Sequence, residues 1–171
     1  TCTASAAPFR PARRNSSSMA HHTGYGTVLF GGYGGEAASG VLGDTWVWNG
    51  QQWSLGSTVA NPSQRYLPGA AYDTGRHRGV LFGGTNFGAF PPAETWEWDG
   101  STWRVAHRPP DLARSLHAVA YDGSTLIAFG GLGGSGVRDD TLRWDGTTWT
   151  PAAPATRPPP RADPAVRSEE R

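Results

Sequence analysis

The sequence predicts an all-β protein built from a repeated four-stranded antiparallel sheet. Three tryptophan-rich segments, "DTWVWNGQQW", "ETWEWDGSTW" and "DTLRWDGTTW", end at Trp53, Trp103 and Trp149, which are 50 and 46 residues apart. Upstream of each segment an apolar run ends in a glycine pair, in "TVLFGG", "GVLFGG" and "LIAFGG". Self-similarity at such a fixed period is typical of repeat architectures. No segment places apolar residues at helical spacing, and the 24 glycines and 14 prolines argue against long helices.

Each repeat opens with an arginine and contains four strand-like segments. The opening arginines are Arg14, Arg65 and Arg114, and the three units are 14–64, 65–113 and 114–153. The first strand is predicted in "PGAAYD" and "HAVAYD", which turn residues follow, and the second in the apolar run before the glycine pair. The third strand alternates, as in "TWEW", and the fourth begins at the last "TW" of the unit. This order predicts three four-stranded antiparallel sheets.

An Asn-Gly or Asp-Gly dipeptide separates the third and fourth strands of every unit. The dipeptides are Asn49-Gly50, Asp99-Gly100 and Asp145-Gly146. They favour a two-residue type I′ turn, because both central residues need positive φ. In the second unit this turn pairs Trp98 with Ser101 and leaves Trp96 opposite Trp103. The three tryptophans then share one face of the sheet. Each can bury about 150–250 Å², so we expect the neighbouring unit to cover that face.

A carboxylate precedes the third strand of each unit, just as an arginine opens it. The carboxylates are Asp44, Glu94 and Asp140. A recurring arginine and a recurring acid predict buried ion pairs within or between the units. The alternative interpretation is a ring of charges that lines a channel.

The combination of these features resembles the kelch repeat. Four short strands, a glycine pair that closes the second, an aromatic residue in the third and a tryptophan in the fourth recur over residues 14–153. The resemblance, to bacterial kelch-type and galactose-oxidase-like repeats, implies a β-propeller in which each unit is one blade around a central channel. Kelch propellers usually have six or seven blades, so three blades imply an incomplete propeller. A second copy (a homodimer with a six-blade ring), further blades of a longer chain or another partner would complete it.

The two ends of the chain do not fit the repeat. We predict a flexible N-terminal segment over 1–13 and a disordered tail rich in proline and arginine over 154–171, although the tail begins like a fourth unit at Arg161. Cys2 is the single cysteine, so no intrachain disulfide is available. Cys2 is interpreted as a stray thiol, with a lipid-anchored lipoprotein start as the alternative. We expect an extracytoplasmic or secreted bacterial protein.

Composition and motifs exclude several function classes. The formal net charge of +1 gives no electrostatic reason to bind nucleic acid, and no apolar run approaches the roughly 18 residues of a membrane span. The glycine-rich segments do not lead into a helix, so they do not form a phosphate loop. His77, His107 and His117 are scattered. The sequence therefore predicts no metal and no cofactor.

Galactose oxidase is a kelch-type propeller, and its copper site uses tyrosine and histidine ligands with a cysteine joined to one tyrosine. Cys2 lies outside the repeats and is a poor candidate for that link. We therefore lean towards a protein that is not an enzyme. The alternative is a fragment of a galactose-oxidase-like or carbohydrate-active propeller enzyme, whose catalytic residues lie outside this chain.

The most variable segments of the three units are predicted to lie at one end of the sheets. These are the loops between strands two and three and the connections from strand four to the next unit. Loops on a rigid scaffold are where binding residues concentrate. The candidate binding residues are Tyr33, Asn86, Phe87, Phe90, His107, Arg108 and Arg138. The predicted function is a non-enzymatic binding scaffold whose ligand is a protein or a glycan.

Overall fold

A computed structural model of the chain describes residues 9–22, 24–35, 40–56, 59–87 and 93–164. Within those ranges the chain forms strands and no helix, which confirms the predicted all-β class. Three sheets have four antiparallel strands each, and a fourth sheet is a two-stranded hairpin. Each four-stranded sheet falls inside one of the predicted units.

The strands of each four-stranded sheet are antiparallel neighbours in chain order. The first sheet contains β1 (Ser18–His22), β2 (Gly26–Tyr33), β3 (Val41–Trp48) and β4 (Trp53–Leu55). The second contains β5 (Gly69–Asp73), β6 (Arg78–Phe82), β7 (Thr95–Trp98) and β8 (Trp103–His107). The third contains β9 (Ala118–Tyr121), β10 (Leu126–Phe129), β13 (Thr141–Trp144) and β14 (Trp149–Ala152). The hairpin between β10 and β13 contains β11 (Leu132–Gly133) and β12 (Gly136–Val137). The sequence did not predict this hairpin.

The turn between the third and fourth strands differs from the predicted two-residue turn. Trp98 pairs with Trp103, and Trp96 pairs with Val105, so the loop has four residues. The Asp99 side chain causes this longer loop. Its Oδ1 accepts hydrogen bonds from the backbone N–H groups of Ser101 and Thr102, at 2.8 Å each. The predicted pairing of Trp98 with Ser101 is therefore wrong. The shared face survives, because a shift by two residues keeps every side chain on its side of the sheet.

Consecutive sheets pack face to face, with the tryptophan-bearing side of the later sheet against the earlier sheet. β1 lies beside β5, and β5 lies beside β9. Trp103 Nε1 donates a buried hydrogen bond of 2.9 Å to Thr45 Oγ1 of the first sheet. Trp149 Nε1 donates an equivalent bond of 2.8 Å to Thr95 Oγ1 of the second sheet. The tryptophan side of one sheet thus covers the opposite side of the sheet before it, as the sequence predicts.

Two hydrophobic clusters fill the spaces between the sheets. Their large members are Val28, Phe30, Leu81, Trp96, Trp98 and Trp103 between the first and second sheets, and Val80, Phe82, Leu126, Leu142, Trp144 and Trp149 between the second and third. Burial of apolar area of this kind is the main force that holds the sheets together.

The glycine pair at the end of each second strand connects a sheet to the next unit. The N–H of the second glycine donates to the carbonyl of the arginine that opens the following unit, as in Gly84 to Arg114 at 2.9 Å. Gly83 has φ of +64°, and a Cβ there would lie 2.3 Å from the Arg114 carbonyl oxygen. Only glycine fits both the backbone conformation and the close approach.

The C-terminal segment repeats the same connection once more. Gly131 N–H donates to the Arg161 carbonyl at 2.9 Å, and Asp163 N–H donates to the Leu116 carbonyl at 2.7 Å. Asp163 has φ of +57°, and the matching residues Leu67 and Leu116 have φ of +57° and +54°. Residues 161–163 therefore have the backbone geometry of an opening segment, which differs from the predicted disordered tail. Residues 165–171 lie outside the described part of the chain.

In the described part of the N-terminal segment, Phe9 contacts the first sheet. The ring of Phe9 lies 5.0 Å from that of Trp46, at an angle of 52°. Phe9 itself is 67 % exposed. Residues 1–8, including Cys2, lie outside the described residues.

Candidate functional site

The loop end of the molecule is the end at which the glycine pairs meet the opening arginines. The β2–β3, β6–β7 and β10–β13 loops leave from this end, and the connections between the sheets return to it. Since antiparallel strands alternate in direction, the arrangement follows from the strand order alone. The loop end is the face on which the sequence predicts binding residues.

Three aromatic rings meet at the loop end. Tyr33 lies 5.6 Å from Phe87 and 6.2 Å from Tyr66, and Tyr66 lies 6.0 Å from Phe87. These distances are within the range of favourable aromatic pairs. We call these three residues the aromatic cluster. It joins the first sheet to the opening segment and the β6–β7 loop of the second unit.

Backbone bridges hold two members of the aromatic cluster in place. Tyr33 and Asn15 exchange both backbone hydrogen bonds, at 2.8 and 2.9 Å. Tyr66 and Thr85 do the same, at 3.0 and 2.9 Å. Both tyrosines are half-buried. The two rings are therefore fixed by rigid backbone rather than by a loose loop.

Phe87 is the exposed member of the aromatic cluster. It is 66 % exposed and has φ of +35°, in the left-handed region that side-chain-bearing residues rarely adopt. A β-carbon on Gly40, in the neighbouring β2–β3 loop, would lie 3.8 Å from the Phe87 ring. The loop thus presents a large apolar ring to solvent at an energetic cost.

Sequence reasoning found two members of the aromatic cluster and missed Tyr66. Tyr66 directly follows an opening arginine, so its position in the sequence indicates a structural residue of the repeat. The signal that could have found it is a break in the repeat, because the matching positions carry Asn15 and Ser115. An aromatic residue in one unit alone, at the loop end, has no framework role to repeat.

The other predicted binding residues make their contacts elsewhere. Arg108 is exposed and pairs with Glu94 at 3.1 Å. Arg138 lies 3.9 Å from Asp140. His107 is half-buried, with its ring 5.9 Å from that of Trp144. Asn86 is half-buried, next to Phe87 in the chain, and Phe90 lies outside the described residues.

The opening arginines form ion pairs inside their own units. The closest distances are 2.6 Å for Arg14–Asp44, 3.0 Å for Arg65–Glu94 and 2.7 Å for Arg114–Asp140. Their guanidinium side chains are almost fully buried, with 5 %, 0 % and 0 % exposure. These pairs match the predicted ion pairs and have the geometry of a structural clamp. Each arginine also donates to the carbonyl of the first glycine of its pair.

The carboxylates of these pairs remain charged in spite of their surroundings. Burial would raise the pKa of Asp140, but the hydrogen bonds and the charge of Arg114 more than offset it and hold the pKa below its usual value. Glu94 behaves in the same way beside Trp96 and Arg65. Each carboxylate therefore faces a guanidinium as a charged partner, as expected of a structural ion pair.

A second aromatic group lies at the opposite end, and sequence reasoning missed it. His22 stacks on Tyr25 at 4.0 Å and meets Tyr72 at 4.4 Å, while Tyr72 Oη lies 3.3 Å from His77 Nδ1. Burial, followed by the nearby His77, lowers the pKa of His22. Its Nδ1 accepts two backbone N–H groups, at 2.8 and 3.0 Å. Within the ranges that the structure describes, no three His, Cys, Asp or Glu side chains are grouped to hold a metal ion.

No known family model matches the chain, and no curated protein matches it. In the described part of the chain, no helix has the length and apolar character needed to cross a membrane.

Proposed function

We propose that the chain forms three blades of a kelch-type propeller and acts as a non-enzymatic scaffold that binds a protein segment through the aromatic cluster. Three equivalent antiparallel sheets support the scaffold, since the second and the third each cover the preceding sheet with tryptophans. The adjacency of their first strands is consistent with blades around an axis. Rigid frameworks that carry variable loops at one end commonly bind through those loops.

The observation that carries the proposal is the exposed, strained Phe87. A side-chain-bearing residue in the left-handed region costs on the order of 1–3 kcal/mol and tends to occur at functional sites. Phe87 combines that conformation with 66 % exposure of an apolar ring. Neither property stabilises the fold. Aromatic side chains grouped on a surface are the residues that dominate binding energy in protein interfaces.

The ring geometry favours a protein segment over a sugar. The three rings of the aromatic cluster meet at 48°, 54° and 88°, so they form an uneven group rather than a flat platform. A sugar stacks the apolar C–H face of its ring on one open aromatic face. A side chain of a peptide, in contrast, can insert between tilted ring edges and faces.

Selection of peptides tests this proposal. A library of random peptides displayed on phage is selected against the immobilised chain, and the affinities of the enriched peptides are measured for Phe87→Ser and Tyr66→Ser. We expect each substitution to weaken binding about tenfold or more, as for a hot-spot residue. Val137→Ser is the matched control, because Val137 is an exposed apolar residue (49 %) on the β11–β12 hairpin at the same end.

Two results would contradict the proposal. One is a selection that enriches no peptide above a surface without the chain. The other is a set of peptides that bind Phe87→Ser and Val137→Ser equally well, in variants that melt at the same temperature as the parent. A glycan array probed with the same variants distinguishes a sugar ligand, and binding there that depends on Phe87 would overturn the assignment of a protein segment.

A further inference from the structure

The two internal sheet interfaces follow one pattern. A tryptophan at the start of the fourth strand donates to a threonine at or near the third strand of the preceding sheet, in Trp103–Thr45 and Trp149–Thr95. The turns also meet, since a Cβ on Gly100 would lie 2.8 Å from Tyr25, and one on Gly146 would lie 2.6 Å from Arg76. The same contacts thus recur at two places in one chain.

The first sheet presents the donor half of this interface, and no sheet of the described residues covers it. Trp53, which matches Trp103, is half-buried, and its Nε1 has no hydrogen-bond partner among the described residues. Met19 and Leu55 on the same side are 51 % and 49 % exposed. Around Gly50, the equivalent of Gly100, no atom of the described residues lies within 4 Å of an added Cβ.

The third sheet presents the acceptor half, and here too none of the sheets formed by the described residues lies against it. Its outward side carries Ile127, Phe129 and Thr141, all half-buried. The residues at the matching positions of the second sheet, Val80, Phe82 and Thr95, are 1 %, 0 % and 0 % exposed. The second-sheet residues are more buried because the third sheet covers them.

We propose that a second copy of this chain occupies these faces, head to tail, with Trp53 of one copy donating to Thr141 of the other. The two faces are the separate halves of an interface that the chain already forms twice, so the second copy continues an existing contact. Two copies that each supply both halves can close on themselves with two-fold symmetry. Apolar side chains that are exposed on the donor face and only half-buried on the acceptor face provide the driving force.

The C-terminal segment competes with this association. Residues 161–163 bond to Gly131 N–H and the Leu116 carbonyl, which is the place that residues 14–16 of a second copy would take. Arg161 is exposed, and its side chain donates to the Pro159 carbonyl at 3.3 Å. Arg14, in contrast, makes hydrogen bonds of 2.6 and 2.8 Å to Asp44. The more weakly anchored segment, 161–163, is therefore the one that leaves when the second copy docks.

Sedimentation of the full chain, from low micromolar to submillimolar concentration, tests the proposal. Ile127→Arg puts a charge on the acceptor face, and Leu55→Arg puts one on the donor face. Each variant alone is expected to dimerise about tenfold or more weakly than the parent. A mixture of the two is expected to form a heterodimer, because each variant keeps one intact half. Ser135→Arg, in the exposed turn between β11 and β12, is the control and leaves the association unchanged.

Asp163→Pro tests the competition. Proline fixes φ near −65° and has no N–H, so residue 163 can neither keep φ of +57° nor bond the Leu116 carbonyl. We expect this variant to dimerise at least about tenfold more tightly than the parent. A monomer at submillimolar concentration for both parent and Asp163→Pro would overturn the proposal. So would a parent dimer that both charged variants retain, or two folded variants whose mixture stays monomeric.

Discussion

Phe87 shows how a single residue trades stability for an exposed surface. Its φ of +35° and its 66 % exposure mean that glycine would fit the backbone better and lose little buried area. We predict that Phe87→Gly raises the free energy of unfolding by about 1 kcal/mol, because relief of a left-handed conformation is worth about that much. The measurement is urea unfolding at neutral pH.

The same change in an ordinary strand has the opposite sign. Val137→Gly, at a residue of β12 with comparable exposure, is expected to lower the free energy of unfolding by roughly 0.5–1 kcal/mol. A loss of stability in Phe87→Gly would mean that the ring packs for the fold, and the binding role would lose its main support.

His117 makes the fold sensitive to acid. It lies between the second and third sheets with its ring 5.1 Å from that of Phe82, and neither ring nitrogen has a hydrogen-bond partner in the described structure. Burial, followed by the charge of Arg114, lowers the pKa of His117 to about 3. The unfolded chain takes up this proton near the ordinary value of about 6.5. Stability from this group is therefore complete above that pH and is lost as pH falls towards about 3.

Replacement of His117 by proline isolates this effect. The second unit carries Pro68 at the matching position, after a residue with the same positive φ, so the backbone accepts the change. Between pH 6.5 and 4.5 the parent should lose up to about 1.4 kcal/mol per pH unit more than His117→Pro. Urea unfolding at both pH values measures the difference. Parallel losses in the two proteins would show that His117 is already protonated in the fold, or exposed.

At the scale of elements, the turns between third and fourth strands offer a matched comparison. Gly100 and Gly50 have nearly the same conformation, with φ of +104° and +97°. A Cβ on Gly100 would lie 2.8 Å from Tyr25 of the preceding sheet, whereas one on Gly50 would have no described atom within 4 Å. Gly50→Ala thus reports backbone strain alone, and Gly100→Ala reports strain plus the contact between sheets.

We predict that Gly50→Ala lowers the free energy of unfolding by about 1–3 kcal/mol. Gly100→Ala should lower it further, because Tyr25 has to move and is packed between two sheets. Thermal and urea unfolding of the dilute chain measure both. Equal losses would contradict the position of Tyr25 against the turn of the second sheet.

The strands could be read from the sequence because each unit repeats the same pattern of apolar run, glycine pair and tryptophans. The register between the third and fourth strands could not be predicted, because the Asp99 carboxylate accepts hydrogen bonds from the turn backbone and the loop has four residues. The preference of Asp-Gly for a two-residue turn describes the backbone conformation of the dipeptide and does not include hydrogen bonds made by the aspartate side chain. The β11–β12 hairpin was not predicted either, because its strands have two residues each and show no periodicity.

The candidate site was predictable only in part, for a similar reason. Variable loops pointed to Tyr33 and Phe87, but the contact with Tyr66 depends on how two units sit beside each other. The same applies to the group of His22, Tyr25 and Tyr72, which comes from two sheets. Contacts between units follow from the packing of whole sheets, and no spacing along one unit contains them.

At the scale of the whole molecule, one repeated contact holds the sheets together. Sheets stack through a repeated tryptophan–threonine contact, and this contact is made between neighbours and left open at the two ends. Because the contact is open at the two ends, the outer faces of the first and third sheets carry apolar side chains. The competition of residues 161–163 with a second copy follows from the same open contact. The loop end with its aromatic cluster is the product of the same stacking, since it joins two units.

Hydrogen exchange of the tryptophan indole N–H groups tests this claim most directly. The resonances are assigned by single Trp→Phe substitutions, and exchange into D₂O is followed by NMR in dilute solution. Trp103 and Trp149 donate buried bonds to Thr45 and Thr95, so we predict slow exchange for both. Trp53, without a partner in the described residues, should exchange fast when dilute and slowly at concentrations that favour the dimer. Fast exchange of Trp103 and Trp149, or equal protection of Trp53 in the dilute monomer, would contradict the account.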